Sequence, residues 1–202
     1  MLATKIYKDV LKVKLNEHNP KSTIDFKGND LMKLFDYFEL MESGIIFTYT
    51  AVESFINVSI PKDYIYTCKG KKAGISEQWN KNSIERWMST QDKLKKVLPQ
   101  VFNIEATEIT NSAWWNSFIK LQEIRDSIIH QKEDIIKSPN NKILESLLQS
   151  DIYEICFSGF NLIGFFCEKN TQNSFFPYGF CDMEIPVIEV EDFNSYFEPI
   201  DE

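Results

Sequence analysis

The longest helical pattern in this chain runs from Asn29 to Ile60, a stretch that contains no proline. Its apolar residues recur at steps of three and four, which places them on one face of an α-helix. They are Leu31, Leu34, Phe35, Phe38, Met41, Ile45, Tyr49, Val52, Phe55, Ile56 and Ile60. Asn29 or Asp30 is expected to cap this helix, and Pro61 to end it. Such a face has to be buried against other elements, so the pattern predicts a helical bundle.

Three later segments have the same periodicity. The first begins at Ser83, and Pro99 is expected to end or kink it. The second starts from a cap within 110–112 and runs to about residue 131, and the last covers about 141–168. The inward residues predicted for the Ser83 helix are Ile84, Trp87, Leu94, Val97 and Leu98. The intervening segment 61–82, which contains the basic stretch 68–72, is expected to be a loop.

Composition supports a helical chain with a sizeable core. Hydrophobic residues make up 43% of the sequence, too many for a disordered chain, and glycine and proline number only 7 each, too few for many short strands. We therefore predict an all-α fold, an up-down bundle of four to five helices. Its parts are an N-terminal arm over 1–28, the bundle over 29–169 and an acidic C-terminal extension over 170–202, which includes a short β-like run at 185–190.

The net charge of −8 comes from the C-terminal end of the chain. Residues 182–202 contain eight acids and no bases, and without these eight, 22 of the 30 acids remain against 22 bases. Residues 62–96 are basic, with nine Lys or Arg against four acids. The negative net charge therefore does not exclude an anionic partner for the main part of the chain.

Several classes of protein are not expected. The four cysteines form no Cys-x-x-Cys pair and the chain has only two histidines, so we expect neither a zinc site nor any other metal or cofactor. The first residues lack the apolar core of a signal peptide. The longest apolar run, 155–167, is shorter than a membrane span. These features predict a cytoplasmic protein that does not enter a membrane.

Two scarce residue types occur close together. The chain has two arginines and two histidines, and one of each lies in the segment Arg125–His130, near the end of the predicted helix that follows Trp114-Trp115. Asp126 comes directly after the arginine and four residues before His130, so on a helix it faces the imidazole. The alternative interpretation is structural: Arg125 forms an ordinary ion pair, and His130 is a helix end.

The Arg–His spacing, with a polar residue after the arginine, resembles the motif of the HEPN superfamily. The long helix containing residues 51–57 is similar to the first core helix of many HEPN proteins, and the resemblance covers about residues 30–168. It implies a helical bundle and, in many members, a metal-independent ribonuclease that acts as a homodimer. It also implies a role as a toxin or antiviral defence effector, paired with a cognate antitoxin or regulatory protein.

The resemblance implies a role for each residue of the motif. His130 is expected to be the general acid/base that moves the proton of the RNA 2′-OH, and Arg125 to stabilise the phosphate in the transition state. Asp126 is expected to orient the imidazole. Glu53 and Asn57 lie four residues apart on one helix face, from which they are expected to support the site or only to make structural hydrogen bonds.

Two weaker interpretations remain open. The basic residues Lys69, Lys71 and Lys72 are candidates for RNA contacts, although such a segment is more often a solvated loop. One alternative for the whole chain is a HEPN-like dimeric module without catalysis, which binds a nucleotide, RNA or a protein. Another is a plain helical interaction protein in which the motif arose by chance.

Overall fold

The long helix predicted from the sequence is present. In the computed structural model, which describes residues 27–69, 76–130 and 142–169, helix α1 spans Asn29–Ser59. Its apolar face is buried as the periodicity predicts. The buried apolar residues of α1 are Tyr37, Phe38, Met41, Ile45, Tyr49, Val52, Phe55 and Ile56.

The two ends of α1 compare differently with the prediction. Ile60 adopts an extended backbone before Pro61, as the proline requires, so the predicted C-terminus is confirmed. The predicted N-cap is wrong, because Asn29 and Asp30 already lie within the helix. The cap is Gly28, whose φ of 54° is in the left-handed region that glycine tolerates, and no side chain caps the helix.

The first turns of α1 are more exposed than the periodicity predicts. Phe35 is 62% exposed and Leu31 is 38% exposed, whereas burial becomes complete at Tyr37. The Tyr37 hydroxyl donates a buried hydrogen bond to the carbonyl of Leu147 at 2.6 Å. The described helices therefore cover α1 fully from Tyr37 onward, while in its first two turns Leu34 is only partly buried against the core.

Two strands follow α1, where the sequence predicted a loop. Strands β1, Ile65–Lys69, and β2, Ser76–Asn80, form an antiparallel hairpin in which Ile65 lies opposite Asn80. Side chains alternate along β1: Ile65 is 50% exposed and Tyr66 is buried. The prediction of a loop is therefore wrong for both strands, because Tyr66 and Trp79 pack against the helical core.

The single helix predicted from Ser83 is divided. Helix α2 spans Lys81–Trp87 and is capped by Asn80, and α3, Thr90–Asp92, continues through a π-helical turn, Lys93–Val97, into α4, Leu98–Phe102. The Ser89 side chain caps α3 by accepting a hydrogen bond from the Asp92 N–H.

Pro99 and Trp87 both bear on that predicted helix. Pro99 does not end the helix, because it follows the wider π-helical turn near the start of α4, where a missing N–H is tolerated. Trp87 is 69% exposed instead of inward. It is the last residue of a seven-residue helix that buries only Ile84, and its ring lies 5.0 Å from the Arg86 guanidinium.

One of the later helices begins after its predicted start, and the last one is divided in two. Helix α5 is Ala106–Thr110, and α6 is Trp115–Ile129 with Trp114 as its cap, so none of residues 110–112 caps α6. The predicted helix over 141–168 consists of α7, Lys142–Leu147, and α8, Ile152–Lys169. Between them the Ile152 N–H donates to the Gln149 carbonyl and closes a turn.

Helices α1, α6 and α8 pack against one another and enclose most of the core. Gly159 of α8 permits the closest approach, since a Cβ built there would lie 2.5 Å from Cγ2 of Thr48. The Tyr49 and Phe118 rings stack across α1 and α6 with centroids 6.1 Å apart. Trp115 is also buried. This packing places the middle of α1 beside the end of α6 that contains the Arg–His segment.

The predominantly helical fold predicted from the sequence is confirmed in the described ranges, with the small hairpin as an addition. Among the helices that the structure describes, none has the length and apolar character needed to cross a membrane. The predicted arm over 1–28, except for its last two residues, and the acidic extension over 170–202 lie outside the described residues.

Candidate functional site

Arg125 lies at the centre of a polar cluster between α1, α3 and α6. Its Nη1 donates a hydrogen bond to Oδ1 of Asp126 at 2.9 Å, and its Nη2 is 3.8 Å from Oε2 of Glu53 on α1. The sequence had placed Glu53 on the same helix face as Asn57, and the fold brings its carboxylate to the guanidinium. Arg125 is therefore held from two sides by carboxylates of two different helices.

Tyr49 and Thr90 complete the surroundings of the guanidinium. The centre of the guanidinium lies 5.0 Å from the centroid of the Tyr49 ring, within the range of a cation–π contact. The Thr90 hydroxyl donates to Oε1 of Glu53 at 3.2 Å. These contacts fix both the plane of Arg125 and the orientation of the carboxylate that faces it.

The phenol of Tyr49 stays protonated in this setting. Burial raises the pKa of Tyr49 above its ordinary value, a hydrogen bond with Thr90 acts in the opposite direction, and the negative charges of Glu53 and Asp126 raise it further. Tyr49 is therefore a neutral platform and hydrogen-bonding group at neutral pH.

Asn57 pairs with a buried lysine and not with Arg125. The ammonium of Lys93 donates to Oδ1 of Asn57 at 2.9 Å and to the Glu85 carbonyl at 3.1 Å, and Lys93 is only 6% exposed. Burial lowers the pKa of Lys93, while Glu53 and Glu85 raise it. The lysine thus adds positive charge near Glu53. Burying its ammonium costs free energy, and the hydrogen bonds and nearby carboxylates offset that cost.

Sequence reasoning missed Lys93, Thr90 and Tyr49 as parts of this cluster. Tyr49 was assigned only to the apolar face of α1, and Lys93 was counted only as one of several basic residues. The available signal was the position of Lys93 four residues before Val97, which places both on one face of a helix. A charged residue at an inward position is uncommon and usually has polar partners.

Arg125 keeps hydrogen-bonding capacity beyond these partners. A guanidinium has five N–H donors. Here Nη1 donates one hydrogen bond to Asp126, and Nη2 faces Glu53 without a hydrogen bond. The Nε atom is buried and has no hydrogen-bond partner, whereas the side chain as a whole is 24% exposed. The guanidinium therefore has N–H donors beyond these two contacts, and such donors suit an anionic group.

His130 ends α6 and is exposed to solvent. Its backbone N–H donates to the Asp126 carbonyl at 2.9 Å, and its φ and ψ of −113° and 57° are no longer helical. Within the described residues the imidazole makes no hydrogen bond, and the carboxylate of Asp126 is paired with Arg125. The expected orientation of the imidazole by Asp126 is therefore not formed here, because the adjacent guanidinium binds that carboxylate.

The remaining predicted site residues are the three lysines proposed to contact RNA. Lys69 is the last residue of β1, and Lys71 and Lys72 lie outside the described residues. In residues 27–69, 76–130 and 142–169, no three His, Cys, Asp or Glu side chains are grouped so that they could hold a metal ion. The chemistry that Arg125 offers is anion binding, and the accessible imidazole of His130, at the end of the same helix, offers proton transfer.

Comparison of the chain with protein-family models, with curated proteins and with solved structures finds no match.

Proposed function

We propose that this protein is a metal-independent endoribonuclease of the HEPN type. The observation that carries the proposal is the placement of Arg125. Its guanidinium is oriented by Glu53, Asp126 and Tyr49, its side chain is 24% exposed, and the solvent-exposed His130 ends the same helix. An oriented guanidinium and an accessible imidazole are the two groups that cleavage of RNA by its own 2′-OH requires.

The roles follow from the chemistry of the two side chains. His130 takes the proton of the 2′-OH, and the resulting alkoxide attacks the adjacent phosphorus. The bond to the 5′-oxygen breaks, and this oxygen leaves with a proton that the His130 imidazolium returns. Arg125 donates to the phosphate oxygens, where negative charge increases in the transition state. Glu53 and Tyr49 are positioning residues, because they fix the plane of the guanidinium before substrate binds.

The proposal includes a homodimer. One Arg125 and one His130 are a small set of groups for a reaction that needs both an acid and a base, and a two-fold axis near 125–130 doubles the set in one cleft. Light scattering of the active protein should therefore give the mass of two chains. A monomer in a preparation that cleaves RNA would contradict this part of the proposal.

The biological role proposed from the resemblance is that of a cytoplasmic toxin or antiviral defence effector that is held inactive by an antitoxin or regulatory protein. Expression of the chain from an inducible promoter should stop bacterial growth. Expression of the His130→Ala variant at the same level should not.

The direct test is incubation of the protein with labelled single-stranded RNA. Arg125→Ala and His130→Ala should each lose activity, by about 10²–10⁴-fold for the imidazole. The chain offers matched controls, since Arg86 and His18 are its other arginine and histidine. Arg86→Ala and His18→Ala should cleave at the rate of the unmodified protein, and equal loss in all four variants would contradict the assignment.

One observation favours a second function, a dimeric HEPN-like module that binds RNA, a nucleotide or a protein without catalysis. Two carboxylates, from Glu53 and Asp126, face the single guanidinium of Arg125 and oppose the approach of a phosphate. This alternative predicts that Arg125→Ala leaves the binding of an oligonucleotide, a nucleotide or a protein partner unchanged, and that no RNA is cleaved under any condition.

A further inference from the structure

A line of polar side chains runs beside α6 from the Arg125 cluster to a second basic site. Gln122 lies one turn before Arg125, and its Oε1 accepts a hydrogen bond from Nε2 of Gln91 at 3.0 Å. The amide oxygen of Gln91 in turn accepts from Nζ of Lys95 at 3.4 Å. The same ammonium lies 5.2 Å from the centroid of the Trp115 ring, at the start of α6.

This line follows the α3 and π-helical segment as it passes along α6. Thr90 contacts Glu53 beside Arg125, Gln91 contacts Gln122, and Lys95 contacts Trp115. Arg125 and Trp115 are ten residues apart on one helix, which corresponds to about 15 Å along the axis. A short stretch of single-stranded RNA covers such a distance.

The line ends at a pocket of about 440 Å³. Lys95 and Lys96 lie on one side of it, Tyr66 of the hairpin lines another, and Gln100 and Asn103 contribute amide groups. Its volume falls within the range of known small-ligand sites. The amides and ammonium groups are donors suited to the oxygens of a phosphate.

The backbone and its neighbours give this pocket a defined shape. Asn103 ends α4 with φ and ψ of 52° and 50°, a left-handed conformation that asparagine tolerates. The Tyr64 hydroxyl donates to Oε1 of Gln100 at 2.8 Å, which holds that amide in place. Glu105 is the one acid among the lining residues, so the lining has an excess of positive charge.

An incoming phosphate has to compete with one ion pair. Nζ of Lys96 is 2.6 Å from Oδ1 of Asp92, one turn earlier. Both side chains are largely exposed, at 51% and 44%, and exposed pairs of this kind are weak. A phosphate in the pocket can therefore replace or share the ammonium of Lys96.

We infer that the pocket at Lys95 and Lys96 binds a backbone phosphate of single-stranded RNA, a few nucleotides from the phosphate at Arg125. This inference rests on the proposed function, because it extends the substrate from that site along α6. The two sites are joined by Gln91 and Gln122, whose amides are free to contact the intervening nucleotides once the strand displaces their mutual hydrogen bond. The pocket thereby determines where the strand lies relative to the Arg–His segment.

The test separates strand binding from cleavage. A fluorescent single-stranded oligonucleotide of 2′-O-methyl nucleotides has no attacking hydroxyl and stays intact, so its affinity is measured by anisotropy over a range of salt concentrations. The double variant Lys95→Gln/Lys96→Gln should bind it on the order of tenfold more weakly at low salt. The slope of log K against log salt should fall in magnitude by about 1.4, the value expected for two lost phosphate contacts on a single strand.

The matched control is Lys33→Gln/Lys120→Gln, which removes the same charge elsewhere. Lys33 lies in the exposed first turns of α1, and Lys120 pairs with Asp151 away from the Gln122 face of α6. The control should keep most of the affinity and the slope of the unmodified protein. Equal weakening in both double variants, or no weakening in the first, would overturn the inference.

Two further outcomes distinguish this inference from the proposed function. If the oligonucleotide binds through Lys95 and Lys96 but natural RNA is never cut, the inference stands and the ribonuclease proposal fails. If RNA is cut and the Lys95→Gln/Lys96→Gln variant keeps the parent KM, the ribonuclease proposal stands and the inference fails. A nucleoside monophosphate that binds as tightly as the oligonucleotide would also contradict an extended strand.

Discussion

Replacing Gly159 with alanine tests the packing that positions the candidate site. A Cβ at this position would lie 2.5 Å from Cγ2 of Thr48, 3.2 Å from Cγ2 of Val52 and 3.4 Å from Cδ2 of Leu121. Carbon atoms are at their optimum at about 3.5–4.0 Å, so the first contact is a severe overlap. Thr48 is β-branched and lies within α1, so its methyl group has little freedom to move.

The expected loss of stability is the difference between two effects. Overpacking a well-filled core costs about 1–3 kcal/mol. The replacement of glycine by alanine within a helix contributes about 0.5–1 kcal/mol in the opposite direction. Gly159→Ala should therefore lower the free energy of unfolding by up to about 2.5 kcal/mol, which for a chain of this size corresponds to several degrees in Tm.

Gly164 is a matched control on the same helix. A Cβ at Gly164 meets no atom within 4 Å, so Gly164→Ala should raise the free energy of unfolding by about 0.5–1 kcal/mol. Urea unfolding followed by circular dichroism measures both variants. The difference between them should be about 1–3 kcal/mol, the packing cost alone. Equal stabilisation by both substitutions would refute the close approach of α8 to α1.

Two further predictions concern the polar cluster. Glu53→Ala should reduce the rate of RNA cleavage by up to about 10²-fold with unchanged circular dichroism, because it releases a guanidinium that has to be oriented for the reaction. Glu53→Gln keeps the acceptor for Thr90 and should lose less activity. Full activity in Glu53→Ala would exclude a positioning role. Because burial lowers the pKa of Lys93 from its ordinary value of 10.5, the unfolded chain binds more protons than the folded one between the folded-state pKa and 10.5. The free energy of unfolding, measured relative to that of the Lys93→Met variant, should therefore rise as the pH increases from the folded-state pKa to 10.5. If Lys93 were solvated, urea unfolding would give the same difference between the two proteins at every pH in this range.

The fold was predictable where the pattern was long and uninterrupted. The periodic residues of α1 determine one buried face over many turns, and Pro61 ends it, so its extent could be read from the sequence. The breaks near Met88 and Gln149 could not, because each depends on local caps and turns of a few residues. The hairpin was missed because its burial rests on Tyr66 and Trp79, which meet the core only in three dimensions.

The candidate site divides in the same way. Arg125 and His130 were found because arginine and histidine are scarce in this chain, and Glu53 because its helix face was predicted. Tyr49, Thr90 and Lys93 were missed, since their proximity to Arg125 depends on how α1 and α3 pack on α6. Single-sequence patterns describe faces of one helix and contain little information on which faces meet.

The proposed mechanism makes a specific claim about the products of cleavage. With the 2′-OH as the nucleophile and His130 as the proton carrier, the 5′ fragment should end in a 2′,3′-cyclic phosphate or its hydrolysis product. The reaction should proceed in EDTA, and a single 2′-deoxy substitution at the cut site should block it because the attacking group is missing.

The most direct measurement is therefore end-group analysis of RNA fragments produced in EDTA by the unmodified protein and by the His130→Ala and Arg125→Lys variants. The unmodified protein should give cyclic phosphate ends. Neither variant should give more than a little product, since alanine cannot carry the proton and a lysine does not replace the planar fork of Arg125. Cleavage that requires a metal ion, that leaves other end groups, or that persists at full rate in both variants would contradict the assignment of Arg125 and His130 to catalysis.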